Sequence, residues 1–354
     1  MGICNACRYC EGFCAVFPAM ERRRTFNAGD LKYLANLCHN CRDCFYACQY
    51  APPHEFAVNV PETMAELRLE TYREFTWPGF LAVLFQRNGL TVSLITAACA
   101  AVVILLTAFL QDASALFGTH TAENAFYQVI PYRAMVLPFT VLAIFILISC
   151  WKGLKRFWCE TGGNLNDLVN PRANAQALWD ALRLKYLDGG GNGCNYPDED
   201  FSMKRRWFHH AVFYGFMLCL ASTTVAAFYD HILQLPAPYP FFSWPVILGT
   251  VGGVAILIGT GGLLYLKIKM DPAPAAPQAW SMDSAFLAVL FLTSFTGMSL
   301  LIFRATPLMG ILLAVHLGIV AGLFIMMPYS KFVHAVYRYA ALVRNAGEQG
   351  GENK

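Results

Sequence analysis

Six apolar stretches, at approximately 91–110, 132–151, 208–229, 242–266, 284–303 and 307–328, dictate most of what this chain can fold into. Each is close to the roughly 20 residues that cross the hydrocarbon core of a bilayer as helix. With 56% hydrophobic and 14% charged residues in a chain of 354, the composition is too apolar for an ordinary soluble protein. Residues 91–340 are therefore expected to form an all-α membrane bundle of six transmembrane helices.

Lys and Arg set the orientation. The 152–207 connection carries nine of them and 267–283 carries Lys267 and Lys269, whereas 111–131 and 230–241 contain neither. The positive-inside rule then puts the N-terminus, both basic connections and the C-terminus in the cytoplasm. The net charge of +3 gives no sign of a nucleic-acid partner.

Ahead of the spans, Cys4, Cys7, Cys10 and Cys14 are answered by Cys38, Cys41, Cys44 and Cys48. Each run reads C-x2-C-x2-C-x3-C, which wraps three thiolates round one iron–sulfur cube and offers a fourth to its neighbour. Two runs imply two [4Fe–4S] clusters, because iron and sulfide favour soft thiolate ligands. By analogy with two-cluster ferredoxins, Cys4, Cys7, Cys10 and Cys48 would hold one cube and Cys38, Cys41, Cys44 and Cys14 the other. Structural zinc is the duller alternative, but zinc sites want two C-x2-C pairs well apart. No signal peptide precedes the runs, so a disulfide framework is not expected. Ala15 and Gln49 stand where the bacterial ferredoxin pattern has Pro. The remaining cysteines, Cys99, Cys150, Cys159, Cys194 and Cys219, are taken as small buried hydrophobes or free thiols. His39 and His54 are taken as surface residues.

The expected organisation is a cytoplasmic cluster domain at 1–58, compact because the clusters replace an apolar core. A connector and interfacial helix follow at 59–90, then the membrane domain with its cytoplasmic loop at 152–207, then a disordered tail at 341–354. Within the loop, Asn170 and Pro171 open a helix whose apolar face is Ala175, Leu178, Ala181, Leu182 and Tyr186.

Histidines inside or at the ends of spans are functional candidates, because an unpaired ionisable group in hydrocarbon is costly. His209 and His210 begin the third span, His231 lies past its outer end, His316 is within the sixth and His334 beyond its inner end. A b-type haem needs two axial ligands from facing helices, which His209 or His210 with His334 supplies. His316 and His334 lie 18 residues apart, five turns of helix, so both are expected on one face roughly 27 Å apart, a spacing suited to two haems stacked across the membrane. The other ligand of the second haem could only be His231, whose depth fits poorly. Each histidine has a plainer reading as a hydrogen bond between helices. Lys331 and Arg338 are candidates for haem propionates or are simply positive-inside residues. No C-x-x-C-H occurs, so c-type attachment is excluded.

CRYCEGFCAVFPAMERRRTF, CHNCRDCFYACQYAPPHEFAVNVP and the six spans after them resemble the tricarballylate (or citrate) utilisation protein B family along nearly the whole chain. MPYSKFVH, ending in His334, is also similar to the haem-bearing membrane subunits of respiratory nitrate and heterodisulfide reductases. There, a second histidine follows about ten residues after the position of His209 and His210, where Cys219 and Leu220 stand here. The resemblance implies a protein of a bacterial inner membrane that re-oxidises a separate FAD-dependent dehydrogenase, one that oxidises tricarballylate. Electrons would pass through the clusters and haem b to a membrane quinone. The chain has no G-x-G-x-x-G between strand and helix, so the flavin is expected on another chain and no substrate-dehydrogenating site on this one. A heterodisulfide-reductase-like module with a thiol or ferredoxin donor, or a redox sensor, are the other readings.

Overall fold

A computed structural model describes residues 1–352. Short helices carry the cysteine runs: α1 (Gly2–Cys7), α2 (Val16–Glu21), α3 (Ala28–Leu37) and α4 (Asp43–Tyr46). Residues 1–58, where a two-cluster ferredoxin-like domain is expected, contain helices and turns and no strand. Asn27 opens α3 with a full capping box, its side chain accepting from Asp30 N–H and the Asp30 carboxylate accepting from Asn27 N–H. The connector, α5 (Val60–Glu74), starts at the cap Asn59 with Pro61 in its first turn.

After α5 the chain makes a 3-10 segment over Gly79–Arg87. Its Phe85 stacks on Tyr329 while Phe80, Val83 and Leu84 stay exposed, the two-sided pattern of a segment lying at a bilayer surface. The first membrane helix is α6 (Asn88–Leu110), and α7 (Ala113–Phe117) and α8 (Ala125–Val129) cap the far end before α9 (Tyr132–Glu160) returns. Two helices, α10 (Leu165–Leu168) and α11 (Pro171–Leu182), and a hairpin of β1 (Cys194–Asn195) and β2 (Phe201–Ser202) lead into α12 (Lys204–His231). The bundle closes with α13 (Trp244–Lys269), α14 (Pro277–Phe303) and α15 (Met309–Met326), and α16 (His334–Glu352) leaves it.

Six helices are long and apolar enough to cross a membrane, namely α6, α9, α12, α13, α14 and the segment Met309–Tyr329. All six coincide with the apolar stretches of the sequence. Large side chains face outward along them, Phe109 at 86% exposure and Leu147 at 70%, as the lipid-facing side of a multi-pass membrane protein requires. α12 and α13 touch backbone to backbone. A Cβ on Gly215 would meet Gly252 O at 2.8 Å, and one on Gly252 would meet Gly215 O at 2.7 Å.

The segments assigned to one side by charge gather in a single layer at one end of the bundle. Its core contains Phe17, Tyr33, Leu37, Met64, Tyr72 and Phe75 from the N-terminal part, Phe157 and Trp158 from α9, Ala173 and Ala177 from α11, and Tyr337, Ala341 and Val343 from α16. The idea that clusters stand in for an apolar core in residues 1–58 is therefore corrected: that segment shares a conventional core with α5, α9, α11 and α16. The expected disorder of 341–354 is also corrected over 341–352, which are helical, with Ala341, Leu342 and Val343 buried and Glu348 ion-paired to Arg23. Residues 353 and 354 lie outside the described residues.

Two local expectations change as well. The Asn170 cap forms, accepting from Arg172 and Ala173 N–H, but α11 buries Ala173, Ala177 and Asp180, while Ala175 and Leu178 face out. Small alanines let α11 lie close on α16, which the larger side chains on the other face would prevent. The helix carrying His316 does not run on to His334. Pro328 lies in the first of two 3-10 turns, Met327–Tyr329 and Lys331–Val333, with Ser330 extended between them, so the common-face argument for the two histidines fails.

Candidate redox centres

Cys4, Cys7, Cys10 and Cys48 line one cavity of about 290 Å³ together with Cys44 of the second run, and Ile3, Tyr9, Phe17, Tyr50 and Val58 also wall it. Burial pushes the Cys10 thiol up to about 12, and Cys48, Cys4 and Cys7 follow as the neighbouring charges that raise it. Cys4 is raised by burial too, opposed by the N-terminal ammonium and reinforced by Cys48 and Cys7. The second group forms around Cys14. Its thiol rises to about 12 through burial and then Cys38, against the N–H groups of Val16 and Phe17 at the start of α2. Cys44 is raised by burial, then Cys14 and Cys38, and Cys41 by burial, then Cys14. Cys48 thus neighbours Cys4 and Cys10 of the first run, and Cys14 neighbours Cys38 of the second. Cys10 also raises Cys44, so the groups adjoin.

Four thiolates gathered in this way would repel one another unless positive charge joined them, and a bound metal centre inverts that penalty. Among the described residues, no three His, Cys, Asp or Glu side chains converge as ligands of a single ion.

At the membrane end of the same layer, His209 of α12 and His334 of α16 face each other with ring centroids 6.2 Å apart and planes at 78°. Metal–imidazole bonds of about 2.0–2.1 Å and a further ~1.1 Å to each ring centre place two imidazoles on opposite faces of one metal about 6.3 Å apart. His334 Nδ1–H donates to Lys331 O at 2.5 Å, which leaves Nε2 free as a ligand atom. Burial, then Arg338 and Lys331, hold His334 well below its ordinary pKa, in the neutral form that binds metal. His209 Nδ1 is buried without a partner, and both rings are half-buried as residues. A buried orphan nitrogen beside a correctly spaced imidazole fits a haem held between α12 and α16.

The other histidines go elsewhere. His210 tilts on Tyr214 at 5.6 Å, whose hydroxyl donates to Leu182 O. His316 Nδ1 lies 3.0 Å from Thr296 Oγ1 on α14, and His231 Nε2 lies 2.9 Å from Tyr132 Oη at the end of α9. His316 and His231 are not brought together. Both have the hydrogen bond between helices that was their plainer reading.

Between the second cysteine group and the histidines lies a set of arginines that the sequence reading largely missed. Arg68 and Arg338 both donate to Cys38 O, at 2.5 and 2.8 Å, and Arg205 donates to the carbonyls of His39 and Asn40. His39 is buried rather than on the surface, with Nδ1 at 2.8 Å from Leu37 O and its ring against Tyr186. Cys194, taken as an ordinary thiol, is fully buried, donates to Leu187 O and adds to the charges that raise Cys41. No local spacing marks these residues. The available signal was positional, since Arg205 and Arg338 each stand one helical turn from a histidine of the facing pair.

A cysteine-rich helical domain packed on a six-helix membrane bundle defines a class, that of multi-pass membrane proteins bearing a Fer4-like electron-transfer domain. The chain belongs to the citrate utilization protein B family. The family's Fer4-like domain matches residues 1–74 and its main model residues 86–353. Citrate utilization protein B of Escherichia coli is 49% identical over 358 residues, covering 99% of this chain and 91% of its own length. No solved structure matches.

Proposed function

We propose that this protein carries electrons from a cytoplasmic flavoprotein to quinone in a bacterial inner membrane, with both termini cytoplasmic. Cys4, Cys7, Cys10 and Cys48 hold one [4Fe–4S] cluster, Cys14, Cys38, Cys41 and Cys44 the other, and His209 with His334 holds haem b. The bound groups supply one-electron chemistry, splitting the pair of electrons from a flavin and rejoining it on quinone. The chain supplies their order. The observation that carries the reading is the His209–His334 pair at 6.2 Å, tied through Arg338 to Cys38 O. Exposed Ile3 and Tyr9 border the first cysteine group and leave it open to a partner, while the second lies on the path inward.

The donor is the reduced flavin of an FAD-dependent dehydrogenase on a separate chain. The family resemblance makes that enzyme tricarballylate dehydrogenase, and the relative's name links the same role to citrate use. A reduced-minus-oxidised optical spectrum of the anaerobically purified protein, with iron and acid-labile sulfide assayed on the same sample, tests the reading. A b-type α-band with about eight cluster irons and eight sulfides per chain supports it. Clusters without haem would make the bundle an anchor or a sensor and end the quinone proposal.

A further inference from the structure

Arg205 and Arg338 occupy matching places. Arg205 is four residues before His209 on α12, and Arg338 is four after His334 on α16, so each lies one turn from its histidine on the side of the cysteine layer. Both guanidinium groups reach the same backbone, Arg338 at Cys38 O and Arg205 at His39 and Asn40 O. Neither has an ion pair with a carboxylate among the described residues. Arg205 also lies over the Tyr196 ring at 4.8 Å, and Asp43 accepts from Asn195 N–H at Oδ1, 2.9 Å, while its buried Oδ2 has no hydrogen-bond partner. Arg338 Nε is buried with no hydrogen-bond partner. Lys331, the other cation near His334, is already matched, 2.8 Å from Asp283 Oδ1.

Guanidinium groups held by backbone carbonyls with no carboxylate in ion-pair reach are costly where solvent is scarce, and an orphan guanidinium N–H adds to the cost. A dianion would remove both penalties. Guanidinium groups match carboxylates geometrically, and two of them flanking one imidazole pair match two carboxylates on one edge of a planar ligand.

We propose that Arg205 and Arg338 form a seat for the two propionate carboxylates of the haem, fixing that edge toward the Cys38–Asn40 backbone. The proposal rests on the haem reading above. The seat sets which way the haem faces and brings its carboxylate edge to the loop that carries Cys38.

The test uses the full chain, produced under haem-deficient conditions and titrated in detergent with iron protoporphyrin IX or with its dimethyl ester, in which both carboxylates are blocked. Binding is followed by the absorbance of the bis-histidine form. The unaltered chain should prefer the free acid by about a hundredfold, roughly tenfold for each charge-assisted pair. Arg338→Gln and Arg205→Gln should each lower that preference by about tenfold while the ester binds as before. Both arginines also hold the 38–40 backbone, so the unaltered chain decides if a variant fails to fold. Equal binding of acid and ester there overturns the seat and leaves the haem reading standing. A chain that takes up neither porphyrin overturns both.

Discussion

Asp283 Oδ2 accepts from Lys267 Nζ at 2.9 Å, and Lys331 Nζ stands 2.8 Å from Oδ1, so one carboxylate near the start of α14 neutralises two lysines. Lys331 in turn offers its carbonyl to His334. The carboxylate therefore acts on the histidine through the lysine. Asp283→Asn would leave two cations facing each other with little solvent, at a cost of about 3 kcal/mol. A thermal melt in detergent should show the loss, and adding Lys267→Met should recover part of it. An unchanged melting temperature would mean that the pair is solvated.

His334→Ala should abolish the b-type spectrum while iron and sulfide stay near the two-cluster value. His316→Ala should keep the spectrum and lose only its bond with Thr296, a change of about 1 kcal/mol in stability. If haem is lost from the His316 variant and kept in the His334 variant, the axial assignment is reversed.

The exchange of the fourth cysteines has an additive signature. Cys14→Ser and Cys44→Ser should each remove about four irons, and the double variant should lose no more than either alone. Cys14→Ser with Cys10→Ser should lose both clusters. Further loss from the first pair would show that Cys14 serves the first run instead.

Gly252→Leu should separate α12 from α13, because its Cβ would fall on Gly215 O and crowd the Cys219 sulfur at 2.9 Å. Overpacking of this kind costs about 1–3 kcal/mol even where the neighbours can shift, and here two backbones must part. The position of His209 depends on α12, so haem content should fall with stability. Gly261→Leu, at a position where a Cβ meets nothing within 4 Å, should leave both unchanged.

The membrane spans were legible because a bilayer imposes length and apolarity locally, on each stretch by itself. The cysteine spacing was legible for the same reason, since three ligands lie within one turn-rich segment. What was hidden is what depends on distant partners. His209 and His210 are neighbours in sequence but point about 100° apart on a helix, and the choice between them follows from the side of α12 that Gly215 presses on α13. The buried face of α11 was misread because close packing on α16 favours alanines over the larger apolar residues. Strands of two residues, as in the 194–202 hairpin, carry too little pattern to see. The end of α16 looks like a loose tail by composition, with Gly347, Gly350 and Gly351, and is ordered by Arg23 and Tyr33 from the opposite end of the chain.

That last contact bears on how the protein is made. The ribosome releases the eight cysteines first and Ala341, Val343 and Glu348 last, after all six spans, yet these late residues complete the core on which the cysteine helices rest. Until the final turns emerge, the nascent N-terminus lacks a wall. Completion of that shared core is thereby deferred to a finished polypeptide, and a truncated product leaves the cysteine helices without part of the surface they rest on.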